Sequence, residues 1–140
     1  MSSLHHLWMK MYLQMKRLVN ARTAPLGLSP GQPKILEFLA EYGEHEQKDI
    51  AEYCEIEPAT VGNILLRMEN AGLIQRRNRP NNRRSLYVSL TPKGARLAQT
   101  LQGIFAAAEE QITAELTEEE REVLMRLLAK CVQNGKGKLE

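Results

Sequence analysis

The stretch from Glu57 to Thr91, EPATVGNILLRMENAGLIQRRNRPNNRRSLYVSLT, constrains this chain most. It reads as a helix, a glycine stop, a short strand, a basic loop and a second strand. Pro58 suits a first helical turn, where its missing N–H loses no bond, and Glu57 ahead of it is expected to cap and to favour the positive helix end. Val61, Leu65 and Met68, with Ile64 beside them, recur at helical spacing and predict one buried stripe. Gly72 follows as a residue able to turn left-handed just past the helix. Ile74 opens a strand. Leu86, Val88 and Leu90 alternate with Ser85, Tyr87 and Ser89, as a half-buried strand should. Between the strands stand Arg76, Arg77, Arg79, Arg83 and Arg84, with Pro80, Asn81 and Asn82 as turn formers.

No Asp or Glu occurs between Gly72 and Ala108, whereas seven cations do: the five arginines, Lys93 and Arg96. A hairpin tip this cationic repels itself, a poor choice for solubility alone. It suits polyphosphate, because each cation that meets a phosphate releases condensed counterions. A merely solvated loop would leave the helix placed just ahead of it unexplained. Net charge is only +2, so the basic stretch is local and is balanced elsewhere, largely by the glutamates of Glu109–Glu122. Such asymmetry predicts one face turned to nucleic acid.

At 140 residues, 43% hydrophobic and 26% charged, the chain has the balance of one globular domain with a real core. No apolar run reaches the ~20 residues of a membrane helix. The start, MSSLHHLWMKMY, lacks a cationic segment followed by an apolar block, so no secretory signal is expected. Cys54 and Cys131 show no metal-ligand spacing. A reduced, cytoplasmic protein without metal or cofactor is the expectation.

The spacing predicts a first helix over Ser3–Arg22, with Leu4, Leu7, Trp8, Met11, Met15, Leu18 and Val19 on one face and Met9, Tyr12 and Leu13 widening it. Ser29, Pro30 and Gln32 have the pattern of a capping box opening a second helix, with Ile35, Leu36, Phe38 and Leu39 inward and Gly43 at its end. Gln47–Cys54 predicts a short third helix, and a tight turn through Glu55 and Ile56 leads to the one at Pro58. Two short helices joined this way form a helix-turn-helix, whose second helix enters the major groove. Thr91–Pro92 caps a long helix lined by Leu97, Leu101, Ile104, Phe105, Ala108 and Ile112. Thr117 with Glu120 forms a second capping box for the last helix, whose stripe is Val123, Leu124, Leu127, Leu128 and Cys131. The expected organisation is an N-terminal helical arm (1–28), a winged core (29–91), C-terminal helices (92–134) and a disordered tail (135–140). The arms carry more apolar surface than the core can cover. Packing against a second copy is the economical solution, and a two-fold dimer sets two recognition helices ~34 Å apart on a pseudo-palindromic site.

Three segments, LGLSPGQPKILEFL, QKDIAEYCEIEPATVGNILLRMENAGLIQRR and NNRRSLYVSLTPKG, resemble the MarR (multiple antibiotic resistance regulator) family of winged helix-turn-helix transcription factors. The most specific pieces are Met68–Ile74 and Leu90–Gly94. The resemblance implies a mainly α fold with a small β-hairpin wing, and a homodimer that binds operator DNA. It further implies a repressor released by a small, often aromatic or phenolic, ligand. One departure stands out. The family's wing usually reads Asp-x-Arg where this chain has Asn82, Arg83 and Arg84, and Arg79 fills another position that is often acidic. The acid-to-arginine brace cannot form as an ion pair, which leaves the rigidity of the wing open, and the loss of two anions near phosphate favours nonspecific affinity.

On this basis Pro58, Ala59, Thr60, Gly62 and Asn63 are expected in the major groove. Asn pairs with adenine, Thr and Ala touch a thymine methyl, and Gly allows close backbone approach. Gln47 and Lys48 are candidates for the DNA backbone. Arg67 and Arg77 either reach phosphate or pair with local glutamates. Arg79, Asn82, Arg83 and Arg84 form the wing, with Arg84 entering a minor groove. A ligand pocket is expected where the first helix meets the core, lined by Trp8, Met11, Tyr12, Met15 and Phe38, although ordinary packing explains the same residues. Some relatives sense oxidants through cysteine, but both thiols here stand on inward faces, so no redox switch is expected.

Two other functions find partial support in the sequence. Gly27–Leu28–Ser29–Pro30–Gly31 matches the G-x-S-x-G nucleophile elbow, but no buried strand precedes it, and capping explains Ser29. A winged helix that binds protein instead of DNA is compatible with the near-neutral charge and is opposed by the clustered arginines.

Overall fold

The computed structural model describes residues 1–136. Helix α1 spans Leu4–Thr23, and a 3-10 turn at Ala24–Leu26 leads to α2 at Gln32–Tyr42. Strand β1 is His45–Glu46, followed by α3 (Gln47–Cys54), α4 (Pro58–Asn70), β2 (Ile74–Arg79), β3 (Asn82–Leu90), α5 (Pro92–Ile112) and α6 (Glu118–Lys136). The fold is thus mainly helical with one small antiparallel sheet, in the strand order β1-β3-β2.

The core lies where α2, α3, α4 and the sheet meet. Ile35, Leu36, Ile50, Val61, Leu65, Met68 and Val88 are all completely buried, so the predicted α4 stripe is the central ridge. Ile64 packs on its edge. Helix α5 runs past this core, packing on α2 and α1.

The junction between α4 and α5 explains the two most specific pieces of sequence. Gly72, at φ +76°, donates its N–H to the Glu69 carbonyl (3.0 Å), and Leu73 N–H reaches Met68 (2.9 Å). These are the paired bonds of a Schellman stop. The Thr91 hydroxyl donates to the Gly72 carbonyl (2.6 Å) and accepts the Gly94 N–H (3.0 Å). Lys93 Nζ donates to Ala71 (2.9 Å), satisfying another helix-end carbonyl. Gly94 passes so close to the Leu73 backbone that a Cβ there would collide with its carbonyl oxygen. Residues 68–74 and 90–94 are therefore the two halves of one weld that sets where the wing leaves the core.

Five local expectations change. Helix α2 starts at Gln32, not Pro30, and Ser29 makes no side-chain cap. Pro30 and Gly31 instead form the centre of a β-turn closed by Gln32 N–H to the Ser29 carbonyl (3.2 Å), with Gly31 at φ +96°. Pro pre-sets the second turn residue and Gly takes the third, so turn chemistry outcompetes the capping box. Glu57 occupies the N-cap of α4 but gives it no side-chain bond. The arginine-rich loop is mostly strand: β2 and β3 run out to Arg79 and Asn82 and leave only Pro80 and Asn81 between them. Leu86, near the tip, is exposed, beyond the reach of the core. Helix α6 includes Gly135 and Lys136, and the rest of the expected tail lies outside the described residues. By contrast, the Thr117–Glu120 box forms as expected, Thr117 N–H to Glu120 Oε1 at 3.0 Å and Glu120 N–H to Thr117 Oγ1 at 3.1 Å.

The arms differ from the core. On α1 only Val19 and Thr23 are buried, while Leu4, Leu7, Trp8, Met9, Tyr12 and Leu13 are exposed. Val123, Met125, Leu127, Leu128 and Val132 of α6 are exposed as well. No helix among the described residues is long and apolar enough to cross a membrane.

Candidate nucleic-acid interface

Helix α4 keeps its buried stripe on one side and turns Pro58, Ala59, Thr60 and Asn63 outward, all exposed. Gly62 lies between the two faces, half-buried, and a Cβ there would come within 3.4 Å of Gln47 Nε2. That is an ordinary contact with the end of a flexible side chain, so the helix packing does not itself require glycine at 62. The turn between these helices is held by Ile56 N–H to Ala51 (3.0 Å), with Glu55 at φ +56°, a left-handed conformation that only glycine adopts freely.

Gln47 and Lys48 at the start of α3, Pro58 at the start of α4, and Arg84 and Ser85 of β3 line one cleft of about 280 Å³. The fold thus gathers candidates from both helices and the wing around a single opening. Arg83 and Arg84 are exposed at the wing tip, and neither has an ion-pair partner among the described residues. Arg67 is likewise exposed and unpaired among them.

The remaining wing cations are held by acids from elsewhere. Arg76 donates to Glu69 of α4 (3.2 Å) and to Gln47 (3.4 Å), with its side chain largely buried. Arg77 and Arg79 both reach Glu44, each at 3.2 Å. Arg79 also lies over the Tyr87 ring, 4.1 Å from its centroid. Tyr87 donates its hydroxyl to Glu46 (2.9 Å), which also pairs with Lys48 (3.3 Å). Partial burial opposes ionisation of Glu44, but bonds and charge from Arg77 and Arg79 outweigh it and hold the carboxyl below its ordinary range. The Tyr87 bond, then Lys48, lowers Glu46 in the same way.

The wing is also braced without an acid at its tip. Asn82 Oδ1 accepts the Arg84 N–H (3.2 Å), and Asn82 Nδ2 donates to Ser85 Oγ (3.1 Å). Asn78 Nδ2 donates to the Arg83 carbonyl (2.9 Å). An amide oxygen accepts a backbone N–H as a carboxylate does, so Asn82 makes neutral local bonds at the position where the family usually has an acid.

Trp8, Met11, Tyr12 and Met15 converge, as expected, but on a different wall. They line an apolar cleft of about 710 Å³ closed by Ile112 of α5 and by Leu124 and Leu128 of α6. Arg121 and Glu109 pair beside it at 3.7 Å. Phe38 is elsewhere. It packs against Tyr53 (4.7 Å), His45 (5.0 Å) and Tyr42 (5.2 Å) on the α2–α3 surface. A hydrogen bond with Tyr42, then burial, pushes the Tyr53 hydroxyl up to about 12. Cys54 is buried and its thiol is pushed up to about 11 by that burial, so it stays protonated and unreactive. Cys131, expected to be buried, is exposed, on the edge of the open cleft between α1 and α6.

Ser29 sits before the Pro30–Gly31 turn and has no strand leading into it, which removes the context a nucleophile elbow requires. Among the described residues no three His, Cys, Asp or Glu side chains are grouped as metal ligands.

Residues 28–86 match the MarR family. Over 114 residues the chain is 35% identical to the homoprotocatechuate degradative operon repressor of Escherichia coli, covering 81% of this chain and 76% of that protein. It is 29% identical over 128 residues to the transcriptional regulator HosA of E. coli O111:H-, covering 88% and 95%. Among solved structures, the MepR–DNA complex of S. aureus superposes with a TM-score of 0.85 at 24% identity, covering 96% of this chain and 99% of that one.

Proposed function

Because this chain belongs to the MarR family, we propose that it is a DNA-binding transcriptional repressor, acting as a homodimer on a pseudo-palindromic operator. The observation that carries this is the shared cleft, where Gln47, Lys48, Pro58 and Arg84 meet beside the outward face of α4. Ala59, Thr60 and Asn63 read base edges there, with Pro58 and Gly62 allowing the backbone to approach. Gln47, Lys48 and Arg67 hold phosphates. The wing works through Arg83 and Arg84, positioned by Asn82. The exposed apolar residues of α1 and α6 support pairing with a second copy, since hydrophobic surface of this extent on a regulator calls for a partner. The repressors among the relatives support repression as the outcome, in the cytoplasm where operators lie.

We place a small effector in the cleft between α1, α5 and α6. Its lining by Trp8, Met11, Tyr12 and Met15 suits an aromatic or phenolic ring, and the relative named for a homoprotocatechuate operon supports that class. Binding there would rearrange the arms and so the separation of the two α4 helices.

Selection of bound fragments from the source genome tests the main proposal. The expected result is enrichment of sites with two half-sites one helical turn apart, ~34 Å. No enrichment, with no duplex binding even at low salt, overturns it and leaves a protein-binding winged helix as the better reading. Salicylate-like acids and phenols should raise the melting temperature and release the duplex. Neither effect occurring removes the effector.

A further inference from the structure

We propose that Glu44 is a specificity-determining residue, an acidic clasp that keeps Arg77 and Arg79 off DNA phosphates so that the wing engages DNA through Arg83 and Arg84 alone. The inference rests on the DNA-binding function proposed above and goes further by assigning a role to an acid outside the hairpin. Glu44 immediately precedes β1, at the opposite edge of the sheet from β2. Its carboxylate spans the central strand β3. Oε2 takes Arg77 and Oε1 takes Arg79, each at 3.2 Å, so both oxygens are engaged. Arg79 is fixed a second time by the Tyr87 ring, and Tyr87 is fixed by its hydroxyl on Glu46. The neighbouring acid of β1 therefore locks the platform on which the clasp closes.

The five hairpin arginines fall into two classes. Arg76, Arg77 and Arg79, all on β2, have carboxylate partners, whereas Arg83 and Arg84 on β3 have none among the described residues. The clasp does not hold the apolar core together, since Arg77 and Arg79 have side chains 67% and 55% exposed. Both guanidinium groups are thus accessible to solvent, and what occupies them is Glu44. A phosphate must compete with a carboxylate already in place, so fewer counterions are released when the wing meets an arbitrary duplex. Sequence-independent attraction is limited, and base contacts from α4 carry more of the discrimination.

The test is a fluorescence-anisotropy titration of the full chain against a random-sequence duplex over a series of salt concentrations. The parent is compared with Glu44→Gln, Arg77→Ala/Arg79→Ala and the triple variant. Glu44→Gln should bind the random duplex several-fold tighter at low salt. Its slope of log affinity against log salt should steepen by ~0.9–1.8, one or two phosphates gained. The double arginine variant should keep the parent's slope, and the triple variant should return to it. A Glu44→Gln slope equal to or shallower than the parent's overturns the clasp, as does a flattened slope in the double variant. If the parent binds no duplex at any salt, the DNA-binding function fails and takes the clasp with it. Parent binding with an unchanged Glu44→Gln slope removes the clasp alone.

Discussion

The winged core and the helical arms use similar side chains to opposite ends. In the core, Leu65, Met68 and Ile35 vanish completely from solvent within one chain. On the arms, Leu7, Trp8, Leu127 and Val132 stand at helical spacing yet remain 52%, 47%, 47% and 61% exposed. The difference lies in what surrounds the stripe. Helix α4 has α2, α3 and a sheet on its inward side, so its apolar face is covered locally. Helix α6 meets α1 and α5 only across a cleft, and most of its stripe stays exposed among the described residues. A stripe thus identifies a buried face but not which chain buries it.

Matched truncations sharpen this contrast. Leu65→Ala should cost ~2–5 kcal/mol of folding stability in a urea titration, the range for emptying a fully packed site. A cost below about 1 kcal/mol would mean that the core is looser than its burial implies. Asn63→Ala leaves the core untouched and should cost ~1–3 kcal/mol on the operator, with a smaller loss on random DNA. Equal losses on both would make Asn63 a backbone contact. On the arm, Leu128→Glu with Val132→Glu should leave helicity intact while weakening self-association at least ~10-fold, about 1.4 kcal/mol, in sedimentation experiments. If the variant dimerises as well as the parent, the α6 stripe is not the interface. The smallest effect belongs to the turn inside the core. Glu55→Gly should raise stability by roughly 1 kcal/mol, because Glu55 holds φ +56° at a steric cost glycine does not bear. A loss on thermal melting would show that the Glu55 side chain contributes more than its conformation costs.

The parts legible in the sequence share one property. The Val61–Leu65–Met68 stripe, the Gly72 stop, the Thr91 cap and the Thr117–Glu120 box depend on residues within about four positions of one another. Each is decided by periodicity or by a single turn of backbone. The outward residues of α4 followed by subtraction, once its inward face was known. Ser29 shows the limit of such rules, because Pro30 and Gly31 satisfy both a capping pattern and a turn pattern, and the turn won. Strand β1 was missed because two residues show no alternation. Its pairing with Val88 and Tyr87 reaches across the whole helix-turn-helix. Phe38 lies in a different cluster from the one its spacing suggests for a related reason: periodicity says that it faces inward, not which neighbours it finds there.

Charge marks the same boundary more sharply. Five arginines between two strands are visible to any reader of the chain, and so is the absence of acid around them. Those facts made the hairpin a place for phosphate. Which arginines remain available was settled by Glu44 and Glu69, brought in from the bend just ahead of the edge strand and from the side of α4. Arg77 lies 33 residues from the acid that holds it, and Arg79 lies 35. Helix limits, caps and the buried stripe were written locally, because backbone hydrogen bonds and side-chain spacing act over a turn. Ion pairing acts through space between segments that only the folded sheet makes neighbours, so the division of the wing into clasped arginines on β2 and free ones on β3 belongs to the tertiary structure.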